Sequence, residues 1–326
     1  MPSLRPADYW AITKKTMADF SDDNPMNYAA ILSYYTVFSL PAVLILILRL
    51  AGLALGEEAV SGELFRQIGG IVGPTAAKDV QEIVRAATTP ADSVIATIIG
   101  IGTLAFSATT VFVSLQEAIN NIWGVKAKPE KGWLKYLINR LLSVAIVGAF
   151  AFLLLVSLSV DALVQVLTGY ISRYFSEAAT VLTYITNQFF AIASTTLLFA
   201  LVFKVLPDAR VRWRNVWTGA VVTALLFTLG KFLIGLYIGW SNTQSAYGAA
   251  GSVVLVMVWV YYSSVILLLG AEFTKVFSLY TGEAITPAEH AVKIEVRETH
   301  TDQNGHVEDV KLDTPEKEHN TMDDPA

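Results

Sequence analysis

Tyr28-Ala-Ala-Ile-Leu-Ser-Tyr-Tyr-Thr-Val-Phe-Ser-Leu-Pro41 opens a run that stays largely apolar to Leu55, with Arg49 as its one charge. About 20 helical residues cross a bilayer core of roughly 30 Å, so this 28-residue run is long enough to span it. Five comparable runs follow. The sequence therefore predicts an all-α polytopic membrane bundle of six transmembrane helices, at about 27–55, 91–122, 137–167, 182–206, 214–240 and 248–279. Pro41 lies mid-span. It has no N–H to give and its ring crowds the preceding turn, which predicts a kink in the first span. Such a break survives in lipid where neighbouring helices cover the freed backbone.

Composition agrees. Hydrophobic residues make up 54% of the chain and charged residues 16%, where a soluble chain carries about 25% charged. The net charge of −5 conceals a segregation. Residues 282–326 hold 12 acids and 4 bases, whereas residues 1–281 hold 16 acids and 19 bases. The absence of cysteine excludes disulfides and thiolate metal sites. The N-terminus is polar to Asn27 and the first apolar run is too long for a signal peptide, so no cleavable signal is expected.

Orientation follows the Lys/Arg balance of the connections. Lys126, Lys128, Lys131, Lys135 and Arg140 lie between the second and third spans; Lys204, Arg210, Arg212 and Arg214 lie between the fourth and fifth. The 168–181 connection carries only Arg173, and 241–247 carries no base. Both termini are therefore expected in the cytoplasm.

Three segments lie outside the spans. Residues 1–26 read as an interfacial amphipathic helix, with Tyr9, Trp10, Ile12, Thr13, Met17 and Phe20 mostly on one side and Lys14 and Lys15 opposite. Within the 27–281 membrane domain, residues 56–90 read as an outer amphipathic helical hairpin. Leu64, Phe65, Ile68, Ile71 and Val72 recur at helical spacing, Gly73-Pro74 breaks the pattern, and Val80, Ile83, Val84 and Ala87 resume it. Residues 282–326 lack a sustained apolar period and read as a disordered, acidic cytoplasmic tail. All four histidines, His290, His300, His306 and His319, lie there at spacings that match no compact metal site.

Polar residues inside apolar spans are where function is sought. Ser107, Thr110, Ser114, Glu117 and Asn121 are separated by steps of 3 and 4, which aligns them on one stripe of the second span. The stripe serves either as hydrogen-bonded glue between helices or as the wall of a wetted groove. Ser157, Asp161 and Gln165 form a similar series in the third span. Lys231 lies about 16 residues into the fifth span, roughly 24 Å deep at 1.5 Å per residue. Three readings of it stand: an ion pair with Asp161, contact with a polar or anionic substrate group, or snorkelling to the outer interface. Glu272, near the cytoplasmic end of the sixth span, has Arg212, Arg214, Lys275 or Arg140 as possible neutralising partners. Small residues at Gly248-Ala-Ala-Gly-Ser252 invite close helix approach.

Several stretches together resemble the YihY/BrkB family of bacterial inner-membrane proteins. They are Ala30-Ile-Leu-Ser-Tyr-Tyr-Thr-Val-Phe-Ser-Leu-Pro41 and Ala108-Thr-Thr-Val-Phe-Val-Ser-Leu-Gln-Glu-Ala-Ile-Asn-Asn-Ile-Trp-Gly124. They continue with Leu206-Pro-Asp-Ala-Arg-Val-Arg-Trp213, Gly219-Ala-Val-Val-Thr-Ala-Leu-Leu-Phe-Thr-Leu-Gly-Lys-Phe232, Tyr247-Gly-Ala-Ala-Gly-Ser252 and Trp259-Val-Tyr-Tyr262 through Gly270-Ala-Glu-Phe273. Ser39-Leu-Pro41 is one residue shorter than the family's usual pattern before the proline. The resemblance implies a six-span inner-membrane protein and carries no family-wide catalytic residues. Members were once called ribonuclease BN, the BrkB name ties some to virulence and serum resistance, and some are linked to lipid or lipopolysaccharide export.

A ribonuclease reading fails on inventory. A zinc nuclease needs clustered His and Asp ligands, and residues 1–281 contain no histidine. There is no Gly-Lys-Ser/Thr phosphate loop either, so the chain is not expected to hydrolyse ATP. The sequence predicts a non-enzymatic transporter or lipid-handling protein of flippase or exporter type, with membrane lipids as partners and a lipid or polar solute as substrate. It predicts no cofactor, no metal and no nucleic acid, and leaves the oligomeric state open. The alternative is a non-catalytic structural or regulatory envelope protein.

Overall fold

The computed structural model describes residues 5–72, 74–88, 110–128, 152, 176–240, 251–294, 299–301 and 307–309. Helix α1, Pro6–Asp22, is followed by α2, Pro25–Leu55, across Asn24, whose left-handed backbone (φ 49°) turns the chain between them. Asn tolerates that conformation because its short polar side chain bonds locally. Gly56, at φ 86°, separates α2 from α3, Glu57–Val72; α4 is Pro74–Thr88. Residues 110–122 are helical (α5). Ser176–Val205 is α6, Trp213–Trp240 is α7 and Gly251–Tyr280 is α8.

Four of these are long and apolar enough to cross a membrane, over Pro25–Ile45, Gln188–Val205, Trp213–Leu236 and Val253–Tyr280. They correspond to the first, fourth, fifth and sixth expected spans. Of the second, only α5 is described, and 137–167 lies outside the described residues apart from Phe152.

Helix α8 is the hub: α2, α7, α1 and α4 all pack on it, and α6 packs on α7. Of the expected small-residue stretch Gly248–Ser252, residues 248–250 lie outside the described residues; close approach is seen further along the helices. Gly219 of α7 abuts Thr274 of α8, and Gly270 of α8 abuts Thr223 of α7. The two contacts are reciprocal and share one antiparallel register. Each threonine hydroxyl donates back to a carbonyl four residues earlier, Thr223 to Gly219 and Thr274 to Gly270, both at 2.7 Å. The hydroxyls are thus satisfied within their own helices, and the interface is held by close packing. Further along, Gly230 lies under Tyr262 and Ile266. Edge-to-face contacts Phe199–Phe227 (5.7 Å) and Phe227–Trp259 (6.0 Å) carry the core from α6 through α7 to α8.

Helix α1 buries Ile12, Thr16 and Phe20, with Ile12 against Phe273, Val276 and Phe277 of α8. Tyr9, Trp10 and Met17 stay exposed. The apolar residues that the sequence groups on one side are therefore divided between two faces. In the α3–α4 pair, Leu64, Phe65, Val80 and Val84 are buried in the main core, while Ile83 is exposed.

The end of the chain corrects the boundary drawn at 282. Strand β1, Val125–Ala127, pairs antiparallel with β4, Ala291–Lys293; β2, Ala209–Arg210, pairs with β3, Thr286–Pro287. The compact unit that holds the helices runs to Lys293. Two- and three-residue strands are too short to set up a readable apolar period, which hides this strap in the sequence. Ile294–Ala326 is a separate unit, within which β5, Thr299–Thr301, pairs with β6, Val307–Asp309, where the sequence suggests disorder.

Candidate functional site

The stripe of the second span divides. Ser107 lies outside the described residues. On α5, Thr110 is half-buried and Ser114 buried, whereas Glu117 and Asn121 are exposed. Ser157, Asp161 and Gln165 lie outside the described residues. Lys231 is exposed on α7, and its relation to Asp161 is not among the described contacts. Four of the residues expected to line one groove, Ser107, Ser157, Asp161 and Gln165, thus lie outside the described residues.

Glu272 is assembled. Its side chain is fully buried in α8, with Oε1 3.0 Å from Lys275 Nζ one turn along. Lys275 also donates to Asp23 Oδ2, in the α1–α2 turn, at 3.2 Å. Of the four neutralising partners named for Glu272, Lys275 is in contact with it and Arg212 pairs with Glu283, while Arg140 lies outside the described residues.

A second polar centre escaped the sequence reading. Asn120, beside the Asn121 of the stripe, is buried; its Nδ2 donates to Asp208 Oδ2 at 2.9 Å, and Asp208 N donates to Asn120 Oδ1 at 2.9 Å. His290 Nε2 is 2.8 Å from Asp208 Oδ1. His290 thus takes part in a built contact while its side chain stays exposed. Around it, Lys128 N donates to His290 O, Ala288 N donates to Asp208 O, and Arg210 pairs with Glu289. Asn215 Nδ2 reaches Ser278 Oγ and Glu283 Oε2 at 3.1 and 3.2 Å. Trp123 Nε1 donates to Ala271 O at 3.0 Å, joining the end of α5 to α8. Asn120 and Asp208 both fall in the stretches that carry the family resemblance, and that was the available signal. Among the described residues, no group of three or more His, Cys, Asp or Glu is placed to hold a metal ion.

A small, open crevice of about 40 Å³ lies between α2, α4 and the start of α8. Val37, Leu40 and Pro41 line it from α2, Asp79, Val80 and Ile83 from α4, and Val253 and Val256 from α8. Pro41 lacks the N–H that would bind the Val37 carbonyl, so a freed backbone acceptor and one carboxylate border an otherwise apolar wall.

The family profile described as "Virulence factor BrkB" matches residues 16–295. Among curated proteins, a UPF0761 membrane protein of Pseudomonas aeruginosa is 30% identical over 253 residues, covering 77% of this chain and 59% of that protein. One from Azotobacter vinelandii is 28% identical over 271 residues, covering 81% and 62%. One from Idiomarina loihiensis is 28% identical over 206 residues, covering 62% and 67%. This chain spans about three fifths of the length of the Pseudomonas relatives it matches. No solved structure matches.

Proposed function

This chain belongs to the BrkB family of membrane proteins, and we propose that it is a six-span inner-membrane protein, with both termini cytoplasmic, that carries or handles lipid. The observation behind the reading is the crevice beside Pro41. Its apolar walls suit part of an acyl chain, and Asp79 offers a carboxylate to a cationic or hydrogen-bonding headgroup. A mid-span proline weakens the helix where such a crevice would widen. The α3–α4 pair would rest at the outer membrane surface, where a lipid could enter sideways past Ile83. The proposal includes no catalytic step, cofactor or nucleic-acid partner.

Reconstitution tests it. Liposomes containing the full chain and a fluorescent phospholipid are treated with a membrane-impermeant quencher. Protein is expected to raise the quenchable fraction above that of empty liposomes, and Leu40→Trp, which fills the crevice, to suppress the increase while leaving the melting temperature within a few degrees. Equal quenching with and without protein would sink the reading. The structural or regulatory alternative draws on a different observation, the tying of two inter-helix loops by the 283–294 strap, and it would gain from that result.

A further inference from the structure

Among the described residues, the charges around Lys275 do not balance. Two carboxylates, Asp23 and Glu272, share one ammonium, at 3.2 and 3.0 Å. Glu272 is wholly buried, and neither of its oxygens has a hydrogen-bond partner of acceptable geometry among the described residues. Asp23 and Lys275 are each about a quarter exposed, so water reaches the cluster from the Asp23 side. Among the described residues, Lys275 on the same helix and Asp23 from the α1–α2 turn are the charged groups that act on Glu272. On α2, Tyr28 lies near Asp23 and Glu117. On the α7 side, Arg212 is engaged by Glu283. With both acids ionised the cluster carries one surplus negative charge, and a buried charge without its own partner is costly.

We propose that Asp23, Lys275 and Glu272 form a proton-binding site, in which one proton entering past Asp23 is held on Glu272 and is released again as Lys275 shifts its contact from Asp23 toward Glu272. With the proton bound, Glu272 is neutral and Lys275 pairs with Asp23 alone, which ties the α1–α2 turn to α8. With the proton gone, the ammonium is divided between the two acids and that tie loosens. The count of charges balances in the protonated form: one ammonium against one carboxylate. The site does not depend on lipid handling, and its test needs no substrate.

Infrared difference spectra of the full chain in lipid nanodiscs, taken across a pH series, read the site directly. A carboxylic-acid C=O band is expected to grow as pH falls and to be missing in Glu272→Gln. In Asp23→Asn the ammonium serves Glu272 alone, so the midpoint of that band should move roughly 1–3 pH units toward acid, the size expected for one nearby charge. If Glu272→Gln does not fold, the wild-type band and its movement in Asp23→Asn carry the test. Three outcomes would overturn the proposal. One is a wild-type protein with no such band at any pH at which it is folded. Another is a midpoint that Asp23→Asn leaves in place. The last is a band abolished by sodium at constant pH, which would make the site one for a metal cation.

Discussion

Single residues set the α7–α8 interface. A methyl group added at Gly219 meets the Thr274 hydroxyl well inside contact distance, and meets Thr274 Cβ at 3.0 Å. Gly219→Ala should therefore destabilise the bundle by about 1–3 kcal/mol, the usual cost of overpacking. Replacing Thr274 by Ala removes the hydroxyl but keeps Cβ, so the double variant Gly219→Ala with Thr274→Ala should recover much of the loss. Thermal melts of the four proteins in detergent give the coupling; simple additivity would show that the two residues do not oppose each other. At this scale the sequence was a partial guide. It pointed to the small residues at Gly248–Ser252, of which 248–250 lie outside the described residues, and passed over Gly219, Gly230 and Gly270, which are solitary and gain their meaning from the partner helix. It pointed to Glu272 because a carboxylate in an apolar run stands out. It passed over Asn120 and Asp208, whose bond joins residues 88 apart in the chain.

At the scale of elements, period and length did most of the work. The apolar runs predict α2, α6, α7 and α8 to within about six residues at each end, and Gly73-Pro74 marks the break between α3 and α4. Helix α1 was read less well, because its apolar residues serve two surroundings. Ile12 and Phe20 pack inside the protein, whereas Tyr9, Trp10 and Met17 face outward, where an interfacial helix would meet headgroups. A hydrophobic pattern cannot distinguish a lipid neighbour from a protein one. Orientation belongs to this scale too, since it rests on the charges of whole connections. The cysteine-free chain makes the check clean: Thr243→Cys, in the base-poor 241–247 connection, should react with a membrane-impermeant maleimide added from the periplasmic side. Reaction only from the cytoplasmic side would invert the bundle.

For the molecule as a whole, the strap at 283–294 changes what the acidic C-terminal region is for. Its β3 and β4 strands close on the loop after α5 and the loop between α6 and α7, and His290 and Ala288 both bond to Asp208 between them. The exposed Arg210–Glu289 pair adds little by itself, since surface ion pairs are worth about 0–1 kcal/mol. The buried part matters more. Asp208 is 6% exposed, and taking away a hydrogen-bonded partner leaves part of a buried carboxylate unmatched, at about 1–3 kcal/mol or more. Two truncations separate strap from tail. Ending the chain after Lys293 removes only the second unit and should leave the melting temperature unchanged. Ending it after Gly282 removes both strands, the burial of Ala291 and the His290 contact, and should cost on the order of 2 kcal/mol or more. His290→Ala in the full-length protein should reproduce part of that cost, because it removes the ring nitrogen that lies 2.8 Å from Asp208 Oδ1. If the two truncations melt alike, the strap is an ornament on a bundle that holds its loops without it. If only the shorter chain melts early, two membrane-boundary loops and the C-terminal region form one mechanical unit, and a conformational change in α5, α6 or α7 must either carry the strap along or break it.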